Sequence, residues 1–224
     1  VGSEMCIRDR KYVGEDSLWT PAEACIREVV DELGLEHTVG LGEAAFYGPK
    51  LDFMALDALG RSWQLGTIQV DFSLPERFEL EFTGSDNQSK RPVMIHRAVF
   101  GSIERFLGLL IEHYAGDFPL WLAPEQVRII PITDAQIPAA EELLKQFKER
   151  RLRASLDDAS EKLGAKIRQA ELEKVPLVAV LGKREVEAGA VSVRSRAKGN
   201  EGVVTTEAFV DRVQSEVTHR GEVG

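Results

Sequence analysis

The stretch from Pro92 to Tyr114 constrains this chain more than any other, because it reads as a strand that turns sharply into a helix. Between Val93 and Phe100 the side chains alternate, with Met94, His96, Ala98 and Phe100 on one face and Val93, Ile95, Arg97 and Val99 on the other. Read as a buried strand, this places Arg97 in the interior, where it must be paired. Gly101 permits a turn and Ser102 is an N-cap residue type. Ile103, Phe106, Leu107, Leu110, Ile111 and Tyr114 then follow the spacing of one apolar helix face. Arg105 falls in the first turn of that helix, where the macrodipole disfavours a cation unless an anion answers it. It is read either as a phosphate or carboxylate partner or as one half of a surface ion pair.

No apolar run approaches the roughly 18 residues that a membrane span needs. Two cysteines, Cys6 and Cys25, make no disulfide framework, which points to a reducing, cytoplasmic setting. The second part of the chain, from residue 124, holds 17 basic and 17 acidic side chains, so the net charge of −9 belongs to the first part. Local basic clusters in a neutral domain suit nucleic acid better than the overall charge does.

Residues 1–10 show neither helical nor strand period and resemble translated sequencing adapter, so they are expected to be a leader foreign to the protein. Thr20-Pro21-Ala22-Glu23 predicts a helix start, with Cys25, Ile26, Val29, Val30 and Leu33 as its buried stripe and Gly34 as its stop. A hairpin is expected from Ala45 to Phe72 around Asp57-Ala58-Leu59-Gly60. Thr67, Gln69 and Asp71 share one face of its second arm; Gln64 is out of phase and joins them only through a bulge, for which Gly66 is the obvious place. These uncharged hydrogen-bonding groups are either a solvated face or a binding surface. Lys50 follows the rigid Tyr47-Gly48-Pro49 turn, which would aim its ammonium at a fixed point.

Leu74 to Phe82 leads into a polar loop, residues 83–90. Asp117 to Gln126, with two prolines around Trp121, reads as a linker. Beyond it short strands alternate with helices and end in a hairpin through Ala197-Lys198-Gly199-Asn200, which predicts a small α/β domain with a partly parallel sheet. His96 is either a core histidine or a metal ligand; as a ligand it needs partners, and His37, His113 and Cys25 stand at no motif spacing to it.

Three segments, Ala45-Phe46-Tyr47-Gly48-Pro49-Lys50, the run from Trp63 to Phe72, and Pro92 to Ala98 with Glu104-Arg105-Phe106, closely resemble the bacterial threonyl-tRNA synthetases, and the opening stretch resembles motif 3 of class II synthetases. The likeness runs from about Lys11 to Val217. It implies an α+β protein: residues 11–120 as the C-terminal part of an antiparallel class II catalytic domain, and residues 121–224 as an anticodon-binding domain with a mixed sheet.

It further implies that Arg105 stacks on adenine and faces ATP, that Gln64, Thr67 and Gln69 line the aminoacyl-adenylate site with Tyr47 and Lys50 at its edge, and that Gln64 and Lys50 act with Arg105 in catalysis. His96 matches one of three zinc ligands, the others lying upstream; Cys6 does not match. Arg168, Glu185 and Arg194 match anticodon-contacting positions, whereas Ser160 departs from the asparagine common in the family. The implied chemistry is activation of threonine by ATP with magnesium, then transfer to threonine tRNA, in a homodimer. Because motifs 1 and 2 are missing here, the alternative expectation is a fragment that only binds the anticodon.

Overall fold

A computed structural model describes residues 2–8 and 12–220. Positions 1, 9 and 10 of the expected leader, and Lys11 at its junction, lie outside the described residues. The chain divides into two compact units, residues 1–113 and 114–224.

The first unit is built on a five-stranded sheet of β1 (Gly2–Ile7), β2 (His37–Leu41), β3 (Lys50–Leu56), β4 (Ser62–Asp71) and β7 (Met94–Ala98), in the order β2-β1-β3-β4-β7. All pairings are antiparallel except β1 with β2. The helix α1 (Asp16–Glu32) covers one face, where Met5, Leu51 and Val30 form a core with Ile7, Ile26, Leu35 and Phe53 packed against it.

Gly2–Ile7 is therefore a paired strand, contrary to the lack of period in residues 1–10. Met5 is buried on the α1 side and Cys6 on the other, and a strand shielded on both faces needs no alternation.

The helix α1 begins four residues ahead of the Thr20 signal and carries Pro21 inside it. The side chain that decides this is Trp19, fully buried, with its indole N–H on the Val13 carbonyl at 2.9 Å. Starting at Asp16 seats Trp19 in the helix and places Pro21 in its second turn, where the missing N–H forgoes the intrahelical bond to the Ser17 carbonyl. Of the expected stripe, Ile26 and Val30 face the sheet, while Cys25, Val29 and Leu33 are exposed.

The β3–β4 hairpin closes at Asp57. Its carboxylate accepts the N–H groups of Leu59 and Arg61, the Arg61 guanidinium and the Trp63 indole N–H. Shielding within the turn would raise its pKa, but those bonds outweigh it and hold the group at about 2, below the usual 3.8. A depressed carboxylate stabilises the fold above its unfolded value and loses that contribution as pH falls toward 2. Asp57→Asn should therefore flatten the stability-versus-pH curve between about pH 4 and 2, read by urea unfolding at several pH values. An unchanged slope would exclude the turn as an acid-sensitive element.

Beyond β4, the short helix α2 (Ser73–Arg77) forms in a stretch to which the sequence assigned no element, and the polar loop carries a two-stranded ribbon of β5 (Phe82–Thr83) and β6 (Ser89–Lys90). The helix α3 (Ile103–Tyr114) is capped as expected, the Arg105 N–H reaching Ser102 Oγ at 3.3 Å. Its apolar face is not buried: Phe106, Leu109 and Leu110 are half-covered, whereas Ile103, Leu107 and Ile111 are exposed. Likewise β7 is an edge strand with Val93, Ile95, Arg97 and Val99 exposed, so Arg97 is not buried as expected, and it has no ion-pair partner among the described residues. Alternation fixed which residues share a face, but whether that face is covered depends on a neighbour.

The second unit holds β8 (Val127–Pro131), β9 (Ala154–Leu156), β10 (Leu177–Leu181), β11 (Ala190–Ser195) and β12 (Gly199–Thr205) in the order β12-β11-β10-β8-β9. Strands β8, β9 and β10 are parallel; β11 and β12 close the sheet antiparallel through the expected hairpin. The helices α4 (Ile137–Glu149) and α7 (Thr206–Thr218) pack on one face through Leu143, Phe147, Phe209 and Val213, while α5 (Leu163–Leu172) packs on the other through Ala170. Hence every residue of β10 is buried, the continuous apolar run of a central strand between two layers. A short α6 (Lys183–Glu187), unforeseen in the sequence, follows β10. Residues 117–126 carry no helix or strand, but they are fastened to this unit: Arg153 donates to the Trp121 and Ala123 carbonyls, and the buried Gln126 bridges Leu120 and Arg153.

Candidate functional site

The sheet face opposite α1 is polar, and strand register sets its rows. Cys6, Lys50, Gln69 and His96 lie side by side across β1, β3, β4 and β7, and Glu4, Asp52, Thr67 and Ala98 form the next row. The register shifts between Phe53 and Met54: Phe53 pairs with Gly66 and Met54 with Gln64, leaving Leu65 as the extra residue. That bulge brings Gln64 into phase with Thr67 and Gln69. Gly66 sits beside it because a Cβ there would press on the Val99 and Ala98 carbonyls at 3.1 and 3.3 Å.

The loop before β3 lies against the end of β4, with the Val70 N–H on the Pro49 carbonyl at 3.0 Å. This posts Tyr47 over the row, where its hydroxyl donates to Gln69 Oε1 at 3.0 Å. The Lys50 ammonium bonds the carboxylate of the buried Asp52. Burial would lower the lysine pKa, but the hydrogen bond and charge of Asp52 raise it above its usual value, so Lys50 is a fixed cation rather than a base.

Asp71 is 1% exposed at the end of β4. Its Oδ2 meets His96 Nε2 at 2.8 Å, and its Oδ1 accepts the N–H groups of Ser73 and Leu74 at 2.8 and 3.0 Å. Burial pushes its pKa up, but the bonds from His96 and the two backbone groups prevail and hold it below the usual carboxylate range. Asp52 and Asp71 were not singled out in the sequence. Each looks like an ordinary polar position of an alternating strand, and only burial distinguishes them.

Three buried polar atoms on this face have no partner among the described residues: Asp52 Oδ1, Thr67 Oγ1 and Gln69 Nε2. One acceptor, one hydroxyl and one amide donor left unpaired in a single patch is the pattern of a site that a polar ligand completes. Gly101, at φ +61°, turns the chain from β7 into α3; a Cβ there would come 2.4 Å from the Leu65 carbonyl, so the bulge and the turn are built around each other. Arg105 consequently reaches back to the hairpin, donating to the Gln64 carbonyl at 3.2 Å with its guanidinium 5.5 Å from the Trp63 ring centre. No acidic partner holds it among the described residues, so the ion-pair reading of Arg105 is not the one realised.

The metal donors are less complete. His96 Nδ1 makes no hydrogen bond among the described residues and is free to ligate, but Cys6 stands three strands away in the same row, on the order of 14 Å at about 4.8 Å per strand. Among the described residues the one acid, thiol or imidazole group gathered closely enough to hold an ion is Glu4, Cys6 and Glu43, within 4.8 Å of one another and without His96. Burial, helped by the Asp52 and Glu4 charges and opposed by Lys50, pushes the Cys6 thiol up to about 12, which opposes the thiolate a metal requires.

In the second unit, a cavity lined by Thr133, Asp134, Ser160, Lys162 and Lys166 opens at the C-terminal ends of β8 and β9, where parallel sheets take ligands. Lys166, 4% exposed, holds the 157–162 loop by its bond to the Asp157 carbonyl at 2.9 Å. Glu185 lies beyond the end of β10, its carboxylate on the Gly182 N–H at 3.1 Å. Arg194 pairs with Val178 in register, on the side of the sheet that α5 covers, and Arg168 is exposed on α5. None of these three lines the cavity.

Comparison with known proteins accounts for both units. The family profile described as tRNA synthetase class II core domain (G, H, P, S and T) matches residues 10–114, and the one described as anticodon binding domain matches residues 126–216. The threonine–tRNA ligase of Thermosynechococcus vestitus is 55% identical over 205 residues, covering 92% of this chain and 34% of that protein. A threonine–tRNA ligase of Thermus thermophilus is 54% identical over 210 residues, covering 94% and 32%. A crystal structure described as the RNA binding domain of threonyl-tRNA synthetase from Cryptosporidium parvum superposes with a TM-score of 0.89 at 31% identity, covering 96% of this chain and 54% of that one. The chain spans about a third of the length of the curated relatives it matches. With its units matching the class II core and the anticodon-binding domain, and with threonine–tRNA ligases 55% and 54% identical over 92% and 94% of its length, the chain belongs to the threonyl-tRNA synthetase family.

Proposed function

We propose that the protein carrying this chain is a threonine–tRNA ligase that activates threonine with ATP and transfers it to threonine tRNA. The observation that supports this chemistry is the cluster of unpartnered buried atoms at Asp52, Thr67 and Gln69 beside the fixed Lys50 cation. Residues 11–120 serve as the C-terminal part of the catalytic domain and 121–224 as the anticodon-binding domain. Gln64, Thr67 and Gln69 line the adenylate site, with Tyr47 and Lys50 at its edge. Lys50 and Arg105 offset charge that develops as the threonine carboxylate attacks the α-phosphate of magnesium-bound ATP, a reaction governed by positioning and electrostatics. Arg105, steadied by Trp63 and the Gln64 carbonyl, presents its planar group to adenine. His96 fits as one zinc ligand through Nδ1; when bound, zinc would hold the threonine amino and hydroxyl groups and so reject valine. Arg168, Glu185 and Arg194 read anticodon bases. The whole protein works as a homodimer in the cytoplasm.

A second reading concerns this chain by itself, and the uneven cores favour it. The second unit has apolar cores on both sheet faces, whereas α3 and β7 of the first unit stand largely exposed. The 224 residues alone are then a tRNA-binding module. Purified, they should show no threonine-dependent ATP–pyrophosphate exchange, yet retain threonine tRNA on a filter with an affinity that an anticodon substitution lowers. Exchange activity by the chain alone would defeat the module reading; retention indifferent to the anticodon would defeat the assignment of the second unit.

A further inference from the structure

The contact between Asp71 and His96 determines more than where the ring lies. An ionised carboxylate only accepts hydrogen bonds, so the nitrogen facing it at 2.8 Å must carry the proton. Asp71 cannot turn away, because its other oxygen is held by the N–H groups of Ser73 and Leu74 and the side chain is buried. The Tyr47 ring stands edge-on to the imidazole at 6.5 Å, while its hydroxyl is committed to Gln69, so it offers the ring no competing hydrogen bond.

We propose that Asp71 is a positioning residue that fixes His96 as the Nε2–H tautomer and thereby keeps the Nδ1 lone pair free for a cation. The inference deepens the reading of His96 as a metal ligand, but its first half concerns the imidazole alone and needs no metal. An imidazole nitrogen ligates only when unprotonated, and the partner of the opposite nitrogen selects which one that is. The geometry gives a sharp substitution. In Asp71→Asn the amide oxygen is needed by the two backbone N–H groups, which turns the NH2 toward His96. Donor then faces donor, and the conflict is relieved when the imidazole proton moves to Nδ1. The isosteric change thus inverts the tautomer and blocks the nitrogen meant for the cation, while asparagine preserves the start of α2.

Long-range proton–nitrogen correlation spectra of the 15N-labelled 224-residue chain at pH 8 report the tautomer directly. The His96 signals are identified by their loss in His96→Ala. The wild-type chain is expected to show the Nε2–H pattern, and Asp71→Asn the Nδ1–H pattern with an otherwise preserved amide spectrum. An averaged or Nδ1–H ring in the wild type overturns the proposal without reference to any variant, as does an Nε2–H ring in folded Asp71→Asn. Zinc chloride is then titrated into both. Inversion in Asp71→Asn with no zinc-induced shift of His96 Nδ1 in the wild type supports the positioning role and removes the metal reading for this chain. A zinc shift that Asp71→Asn leaves intact does the reverse.

Discussion

Gly48→Ala is expected to cost this chain roughly 3 kcal/mol of stability and to dismantle the edge of the polar face. A Cβ at Gly48 would fall 1.6 Å from the Val70 carbonyl oxygen and 2.6 Å from its carbon, an overlap with backbone that no rotamer can relieve. The 45–49 loop must lift off the end of β4, and with it go the Pro49–Val70 backbone bond, the Tyr47–Gln69 bond and the placement of Lys50 against Asp52. Gly108→Ala is the matched control. It lies within α3, has open space around it, and should stabilise by about 0.5–1 kcal/mol. Urea unfolding followed by circular dichroism separates the two. Equal effects at both positions would mean that the close approach at Gly48 relaxes at no cost.

The contrast between Gly48 and Gly66 shows where sequence reasoning reaches its limit. The bulge at Gly66 could be read from the chain because its signal is local: Gln64 and Gln69 differ in phase, and a glycine lies between them. Gly101 and Ser102 were legible for the same reason. Gly48 was visible only as part of a rigid turn, since the carbonyl it abuts is 22 residues away. Burial of Trp19, whose indole bonds the Val13 carbonyl, outweighed the Thr20-Pro21 start of α1, and partners remote in sequence hid Asp52 and Asp71, which Cys6 and His96 meet from other strands. Arg97 marks the converse limit. Alternation assigned it correctly to the face of Ile95 and Val99, but burial was inferred from a cover that the described residues do not provide. The same holds for Ile103, Leu107 and Ile111 on α3, which are apolar in pattern and exposed in fact.

For catalysis, the largest expected effect is at Arg105. In the full-length protein that carries this chain, Arg105→Ala should lower kcat/KM for ATP in threonine-dependent pyrophosphate exchange by about 10²–10³-fold, the range found when one preorganised electrostatic group is removed. Preorganisation is what the geometry supplies. The guanidinium is held by the Gln64 carbonyl and rests near the Trp63 ring, so little rotamer freedom remains to be lost when a nucleotide arrives. The Ser102 cap and the Gly101 turn set the helix from which it projects, and the Leu65 bulge sets the carbonyl it grips. Charge alone should not suffice: Arg105→Lys keeps the cation but loses the planar group that can stack on a base while bonding a carbonyl, and is expected to fall near the alanine variant. The KM for threonine should change far less than that for ATP, because Thr67 and Gln69, on two neighbouring rows of the sheet face, are not among the groups that Arg105 touches. A lysine variant with nearly full activity would show that Arg105 acts as a diffuse charge, and equal loss for both substrates would show that it holds the hairpin rather than the nucleotide.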